Sequence, residues 1–201
     1  KPQVIPAALT AIKDQLGPST ALLSIAAGIP ISSLQSQLGG DVSIIRCMPN
    51  TPAMIGLGAS ALFAPDSVEA AHRKLAEQVT NAAGKTVWVT REDLLDAVTA
   101  VSGSGPAYFF ALIEAIARTG TELGLEEEVA MALTVQTALG AASLAAQATE
   151  PVATLRENVT SPGGTTEQAL QSLQDNDFDA VVAEAVRQCA ARAKALGEEF
   201  G

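Results

Sequence analysis

The stretch "VSIIRCMPNTPAMIGLGASALFA", Val42 to Ala64, decides the fold. Val42–Met48 is apolar and rich in β-branched residues, the composition of a buried strand. A long loop, Arg46–Ser60, follows, broken by Pro49, Pro52, Gly56 and Gly58. Ala59–Ala64 is then short and apolar enough for a second strand. The same alternation continues on both sides. Upstream, Val4–Leu16 has helical spacing, and Ala21–Gly28 is a buried strand ending in glycine. Ser32 and Ser33 supply helix-start chemistry before a stop at Gly39. Downstream, Ser67–Gly84 is an amphipathic helix that turns Val68, Leu75 and Val79 inward, and Lys85–Thr90 is another strand. Strands alternating with helices predict a layered α/β sheet, largely parallel.

Strand signals stop at Thr90. Thr90-x-x-Asp93 fits a capping box ahead of a short helix. A new helix begins after Ser102-Gly103-Ser104-Gly105, with Pro106 suited to its first turn. That helix is apolar around most of its circumference, which predicts burial on several sides. Val129–Ala146 carries no charge and approaches the length of a membrane span. It contains Thr134, Gln136, Thr137 and Ser143, and it lacks an aromatic belt and a basic flank, so a buried helix of a soluble protein fits better. A last amphipathic helix covers Phe178–Leu196. The domain boundary falls near Arg91–Asp93, giving an α/β domain over 1–91 and a helical one over 92–201. Gly140, Ala141, Ala142, Ala145 and Ala146 allow helix backbones to approach closely, and so apolar a helical half favours an obligate dimer over a compact monomeric bundle.

Composition narrows the functions. Of 201 residues, 48% are hydrophobic and only 3% aromatic, so the core is built from Ala, Leu, Val and Ile. A net charge of −10 repels phosphate backbones, which argues against a nucleic-acid partner, and no basic cluster suggests a membrane surface. Cys47 and Cys189 are far apart and read as small buried hydrophobes in a reducing compartment. His72, the only histidine, lies among Glu69, Arg73 and Lys74 on a solvated helix face. Neither a Ser-His-Asp triad nor a multi-histidine metal site can be built, and no metal is expected.

Three polar corners remain. In "NVTSPGGTTEQAL", Asn158 to Leu170, Gly163 and Gly164 bare the backbone just before a helix, and Gln168 stands at the capping-box offset from Thr165. The first amides of a helix have no internal partner and attract an anion. The corner therefore suits a carboxylate or phosphate, or is an ordinary capped turn. It is no Walker loop, because no lysine follows the glycines. "SGSGPAY", Ser102 to Tyr108, has no histidine to activate Ser104 and does not fit a nucleophile elbow. Gly56–Ala61 matches G-x-G-x-x-A by spelling only, since a proline-rich loop precedes it and a strand follows.

Taken in order and spacing, "MPNTPAMIGLGASAL", "AVSGSGPAYFF" and "NVTSPGGTTEQAL" resemble the pyrroline-5-carboxylate reductases, and the likeness runs the length of the chain. The resemblance implies a Rossmann-type α/β sheet, incomplete at its N-terminus, followed by an all-helical dimerisation domain. It implies a cytoplasmic homodimer or higher homo-oligomer that reduces 1-pyrroline-5-carboxylate to L-proline with NADPH or NADH. For the substrate it implies Gly164, Thr165, Thr166, Ser161 and Glu92, with main-chain amides of Gly164, Thr165 and Thr166 on the carboxylate and the Thr166 hydroxyl near the ring nitrogen. For the cofactor it implies Lys1, Pro2, Ile25, Ala26, Ala27, Asn158 and Pro106. That family opens with a strand and a G-x-G-x-x-G turn that do not occur in 1–201; a molecule that truly lacked them is expected to show little or no dinucleotide binding and no turnover. The competing readings are a two-domain dehydrogenase acting on β-hydroxyacids and a non-catalytic, dimerising helical module. The first lacks its helical-domain lysine, since only Lys194 follows Lys85.

Overall fold

The computed structural model describes residues 4–17, 19–39 and 42–200. The first half contains helices α1 (Ile5–Ile12), α2 (Ile31–Leu38) and α3 (Ala70–Asn81) and strands β1 (Ala21–Ser24), β2 (Ser43–Met48), β3 (Gly58–Phe63) and β4 (Gly84–Trp88). The sheet order is β1-β2-β3-β4. β1 pairs with β2, and β3 with β4, in parallel, joined by the α2 and α3 crossovers. The β2–β3 pair is antiparallel, Cys47 opposite Leu62, because the Pro49–Leu57 loop folds straight back without a crossover helix.

Neighbouring residues of β2 point to opposite faces of the sheet. Ile44 joins Leu9, Ile29, Leu34 and Leu38 beneath α1 and α2. Ile45 and Cys47 join Leu62, Val68 and Ala76 beneath α3. Full burial of Leu34, Leu38, Ile44, Ile45 and Leu62 contributes about 1.5–3 kcal/mol per side chain. On α3 the buried residues are Val68, just ahead of the helix, Ala76 and Thr80. Leu75 and Val79, expected inward, are more than half exposed: the small side chains face the sheet and the larger stripe looks out. His72 is only half solvated, its Nε2 lying 3.2 Å from the Ser19 carbonyl. Arg73 donates to the carbonyls of Ala64, Pro65 and Val68 and lies over the Trp88 ring.

Cys47 is buried as expected, whereas Cys189 is half-buried with its thiol on the Ser104 hydroxyl. Burial pushes the Cys47 thiol from 9.0 up to about 11, against a smaller downward pull from the Ser60 hydrogen bond. The folded state therefore holds a proton that the unfolded chain releases near pH 9, and this contribution to stability is lost between pH 9 and about 11. Urea midpoints measured across that window should fall in the native sequence and fall less in Cys47→Ala, and thiol reagents at pH 8 should reach Cys47 only after unfolding.

The second half is helical: α4 (Leu94–Val98), α5 (Gly105–Glu122), α6 (Glu127–Gln147), α7 (Val152–Asn158), α8 (Thr165–Asp175) and α9 (Phe178–Phe200). The corner expected between two helices at Ser102–Pro106 is instead a widened π turn, Thr99–Gly103, closed by the Ser104 amide on the Thr99 carbonyl at 2.8 Å, and α5 follows it directly. By packing, the described residues form two compact units: those up to Pro106 together with those from Ala185 on, and Ala107–Glu184. Within the second unit, α6 buries only Ala130 and Thr134, and Phe109, Phe110 and Ile116 of α5 are more than half exposed. The burial expected of both helices is thus not supplied by the chain itself. The helical run Leu94–Glu122, which ends in α5, and α6 are each long and apolar enough to cross a membrane.

Candidate functional site

The corner after α7 is built by local hydrogen bonds. The Gly164 amide donates to the Ser161 carbonyl at 2.9 Å, closing a turn with Pro162 and Gly163 at its centre. Proline presets the second position of such a turn, and Gly163, at φ +70, supplies the left-handed third. Gly164 is then the extended N-cap of α8 and Thr165 its first residue. This displaces the expected Thr165–Gln168 capping box by one position. Glu167, at N3, reaches back instead to the Gly163 amide at 2.7 Å. The Gln168 amide makes the first helical bond, to the Gly164 carbonyl.

Of the three amides expected to hold a carboxylate, that of Gly164 is consumed inside the turn. Those of Thr165 and Thr166 have no acceptor among the described residues, as the first amides of a helix require. The Thr165 and Ser161 side chains are exposed and Thr166 is half-buried, so the corner is open. Asn158 is exposed at the end of α7. These residues form one open corner around the start of α8, where two unengaged amides suit an anion.

The other expected residues belong to the first unit. Ile25, Ala26 and Ala27 follow the carboxyl end of β1, beside the loop after β2. Ala26 is buried, its amide 3.4 Å from the Ser24 hydroxyl, while Ile25 is 66% exposed. Met54, Ile55 and Leu57 of the neighbouring loop are exposed as well. Small backbone-forward residues and an uncovered apolar rim at parallel strand ends suit a nucleotide, which buries flat rings against such loops. Pro106 is half-buried in the first turn of α5. Lys1 and Pro2 lie outside the described residues.

Glu92 was expected to face substrate or to serve the first turn of its own helix. Its Oε1 instead accepts the Ile31 amide at 2.7 Å, capping α2, and the Arg46 Nη1 at 2.9 Å. Ser32 and Ser33 therefore do not start α2; a carboxylate from a distant segment does. The Thr90–Asp93 capping box is not formed either, because the Asp93 carboxylate is taken by Arg91, which holds it below its usual range. Arg46, Glu92, Asp96 and Lys194 line a charged cleft of about 510 Å³. Sequence reasoning missed Asn50, whose Nδ2 donates to the Ser102 carbonyl at 3.0 Å and whose Oδ1 accepts the Ala59 amide at 2.9 Å.

Residues 92–196 match the family model "Pyrroline-5-carboxylate reductase dimerisation". A pyrroline-5-carboxylate reductase of Pseudomonas aeruginosa is 48% identical over the whole chain, which covers 74% of that protein. The solved pyrroline-5-carboxylate reductase of Coxiella burnetii superposes with a TM-score of 0.92 at 39% identity, over 97% of this chain and 73% of that one. The Plasmodium falciparum pyrroline carboxylate reductase, solved with NADP bound, gives 0.88 at 33% identity, over 98% and 74%. A Rossmann-like sheet followed by a helical dimerisation region thus defines a two-domain nicotinamide-nucleotide oxidoreductase. The chain belongs to the pyrroline-5-carboxylate reductase family.

Proposed function

We propose that this protein reduces 1-pyrroline-5-carboxylate to L-proline, the last step of proline biosynthesis, as a cytoplasmic homodimer or higher homo-oligomer. The observation that carries this reading is the pair of unengaged amides, Thr165 and Thr166, at the open start of α8. They suit a single carboxylate, and the helix dipole favours it there. Bound NADPH or NADH would be the source of the hydride that the imine carbon needs. What the chain must add is position and a proton at the ring nitrogen. The Thr166 hydroxyl, half-buried one residue into α8, is placed to orient that nitrogen and donate a hydrogen bond to it; a threonine is too weak an acid to do more alone. Ser161 and Gly164 shape the turn, and Asn158, Ile25, Ala26, Ala27, Pro106, Lys1 and Pro2 serve the dinucleotide. Glu92 acts through the fold, its carboxylate being committed to Ile31 and Arg46. Residues 1–91 then belong to the dinucleotide domain and 92–201 to the substrate-binding and dimerisation domain, a division supported by the family match beginning at 92. A second copy covers the exposed apolar side chains of α5 and α6, in a chain with a dimerisation region.

In the intact natural polypeptide, Thr166→Ala should lower kcat at least tenfold, equivalent to about 1.4 kcal/mol of barrier. Steady-state assays with 1-pyrroline-5-carboxylate and NADPH decide it: unchanged turnover removes Thr166 from the reaction, and no turnover by the native protein removes the reading itself.

A further inference from the structure

In helical backbone the carbonyl of residue i is satisfied by the amide four residues on. For Ser102 that residue is Pro106, which has no N–H. The other polar groups of this turn are spent on each other. The Thr99 carbonyl takes the Ser104 amide, and the Ser102 hydroxyl is turned back to the Val98 carbonyl at 3.1 Å. The Ser102 carbonyl receives the Asn50 Nδ2 instead. The orientation of that side-chain amide is fixed by chemistry, since the Ala59 N–H can only donate and the Ser102 carbonyl can only accept. The contact is reinforced beside it, where the Met48 methyl occupies the space a Cβ would need at Gly103.

We infer that Asn50 is the surrogate donor for the amide Pro106 lacks, and that through this bond it acts as a positioning residue for the Ser104–Pro106 segment in the reduction. Two motifs that look independent in the sequence, "MPNTP" and "SGSGP", are then halves of one device. The proline frees a carbonyl at the π turn, and the asparagine ties that carbonyl to the loop after β2 and to the start of β3. The catalytic half of the inference rests on the reading above that Pro106 serves the dinucleotide; the hydrogen-bond half does not.

The test is a cycle of Asn50→Asp, Pro106→Ala and the double variant in the intact natural polypeptide, read by melting temperature and by kcat and KM. Asn50→Asp keeps the acceptor for Ala59 and removes the donor. It should lower Tm by about 3 °C or more where Pro106 is present. In the Pro106→Ala protein, where residue 106 again carries an N–H, the same change should cost less than half as much. Asn50→Asp should also lower kcat by about fivefold or more, with KM for 1-pyrroline-5-carboxylate changed less than twofold. Relative to Pro106→Ala alone, adding Asn50→Asp should then change kcat less than twofold. If Asn50→Asp does not fold, the double variant should; failure of both overturns the inference. Additive Tm shifts overturn the surrogate-donor role. Coupled Tm shifts with native kcat overturn the positioning role. The reductase reading stands or falls separately, on turnover by the native protein.

Discussion

Gly84→Ala is expected to destabilise the sheet severely, while Gly56→Ala a few residues from its partner strand is tolerated. Both glycines have positive φ, +147 at Gly84 and +75 at Gly56. They differ in room. A Cβ at Gly56 meets nothing within 4 Å, so alanine there carries only left-handed strain, about 1 kcal/mol. A Cβ at Gly84 would collide with the carbonyl oxygen and amide nitrogen of Gly58. Gly58 cannot yield: its amide donates to the Ala83 carbonyl at 2.9 Å, and its own Cβ position lies 2.8 Å from Ala53. The parallel strands β3 and β4 thus begin as one glycine backbone laid on another. Adding overpacking to backbone strain gives about 3–5 kcal/mol, a large part of a domain's total stability. Urea denaturation of the two variants compares them directly. A Gly84→Ala protein within about 1 kcal/mol of Gly56→Ala would refute the crossing.

This crossing also shows how far the sequence could be read. The strands were legible wherever an apolar β-branched run stood between turn residues, as at Ser43–Met48. Gly58 was noticed only as a loop breaker and as part of a fingerprint it does not form; its reason, contact with Gly84, joins residues 26 positions apart and has no local signal. The orientation of α3 failed for a related cause. Spacing located an apolar stripe containing Leu75 and Val79 but could not reveal that the sheet leaves room only for Ala76 and Thr80. The capping predictions failed for two reasons: α2 is capped by Glu92, 61 residues away, and Asp93 is diverted by its close neighbour Arg91.

The turn before α8 was more legible because its cause is local. Proline, two glycines and a helix start within one turn specify the geometry almost unaided. In the backbone geometry, the sequence reading missed that the Gly164 amide is spent in the turn and that the capping box is shifted by one residue, to Glu167. Asn50 was invisible for the opposite reason. A signal existed, since a proline just after a π turn supplies no amide to the carbonyl four residues back, but nothing in the spacing named the donor.

Glu92→Ala should be the most damaging change of a charged residue. It leaves Arg46, whose side chain is 9% exposed, without the carboxylate 2.9 Å away, and it strips the Ile31 amide of its acceptor. Breaking a buried pair by deleting one partner costs about 3–5 kcal/mol, because the surviving charge stays desolvated. The lower end applies here, since Glu92 is itself 29% exposed and Asp96 is close enough to feel Arg46. Burial raises the Asp96 carboxyl and Arg46 opposes that rise, so Asp96 is a partial substitute. Glu92→Gln keeps an oxygen for both donors and should lose less than half as much. Replacing the pair together, Arg46→Met with Glu92→Leu, should recover most of the loss except the capping bond, worth about 1 kcal/mol. A residue that touched substrate would behave otherwise: Glu92→Gln would lower kcat/KM in a protein of native stability, and the double replacement would rescue nothing. Chemical denaturation of the three variants, with kcat/KM measured on each, separates the two roles. Stability unchanged in Glu92→Ala would mean that Arg46 does not depend on this carboxylate and that α2 needs no cap from it.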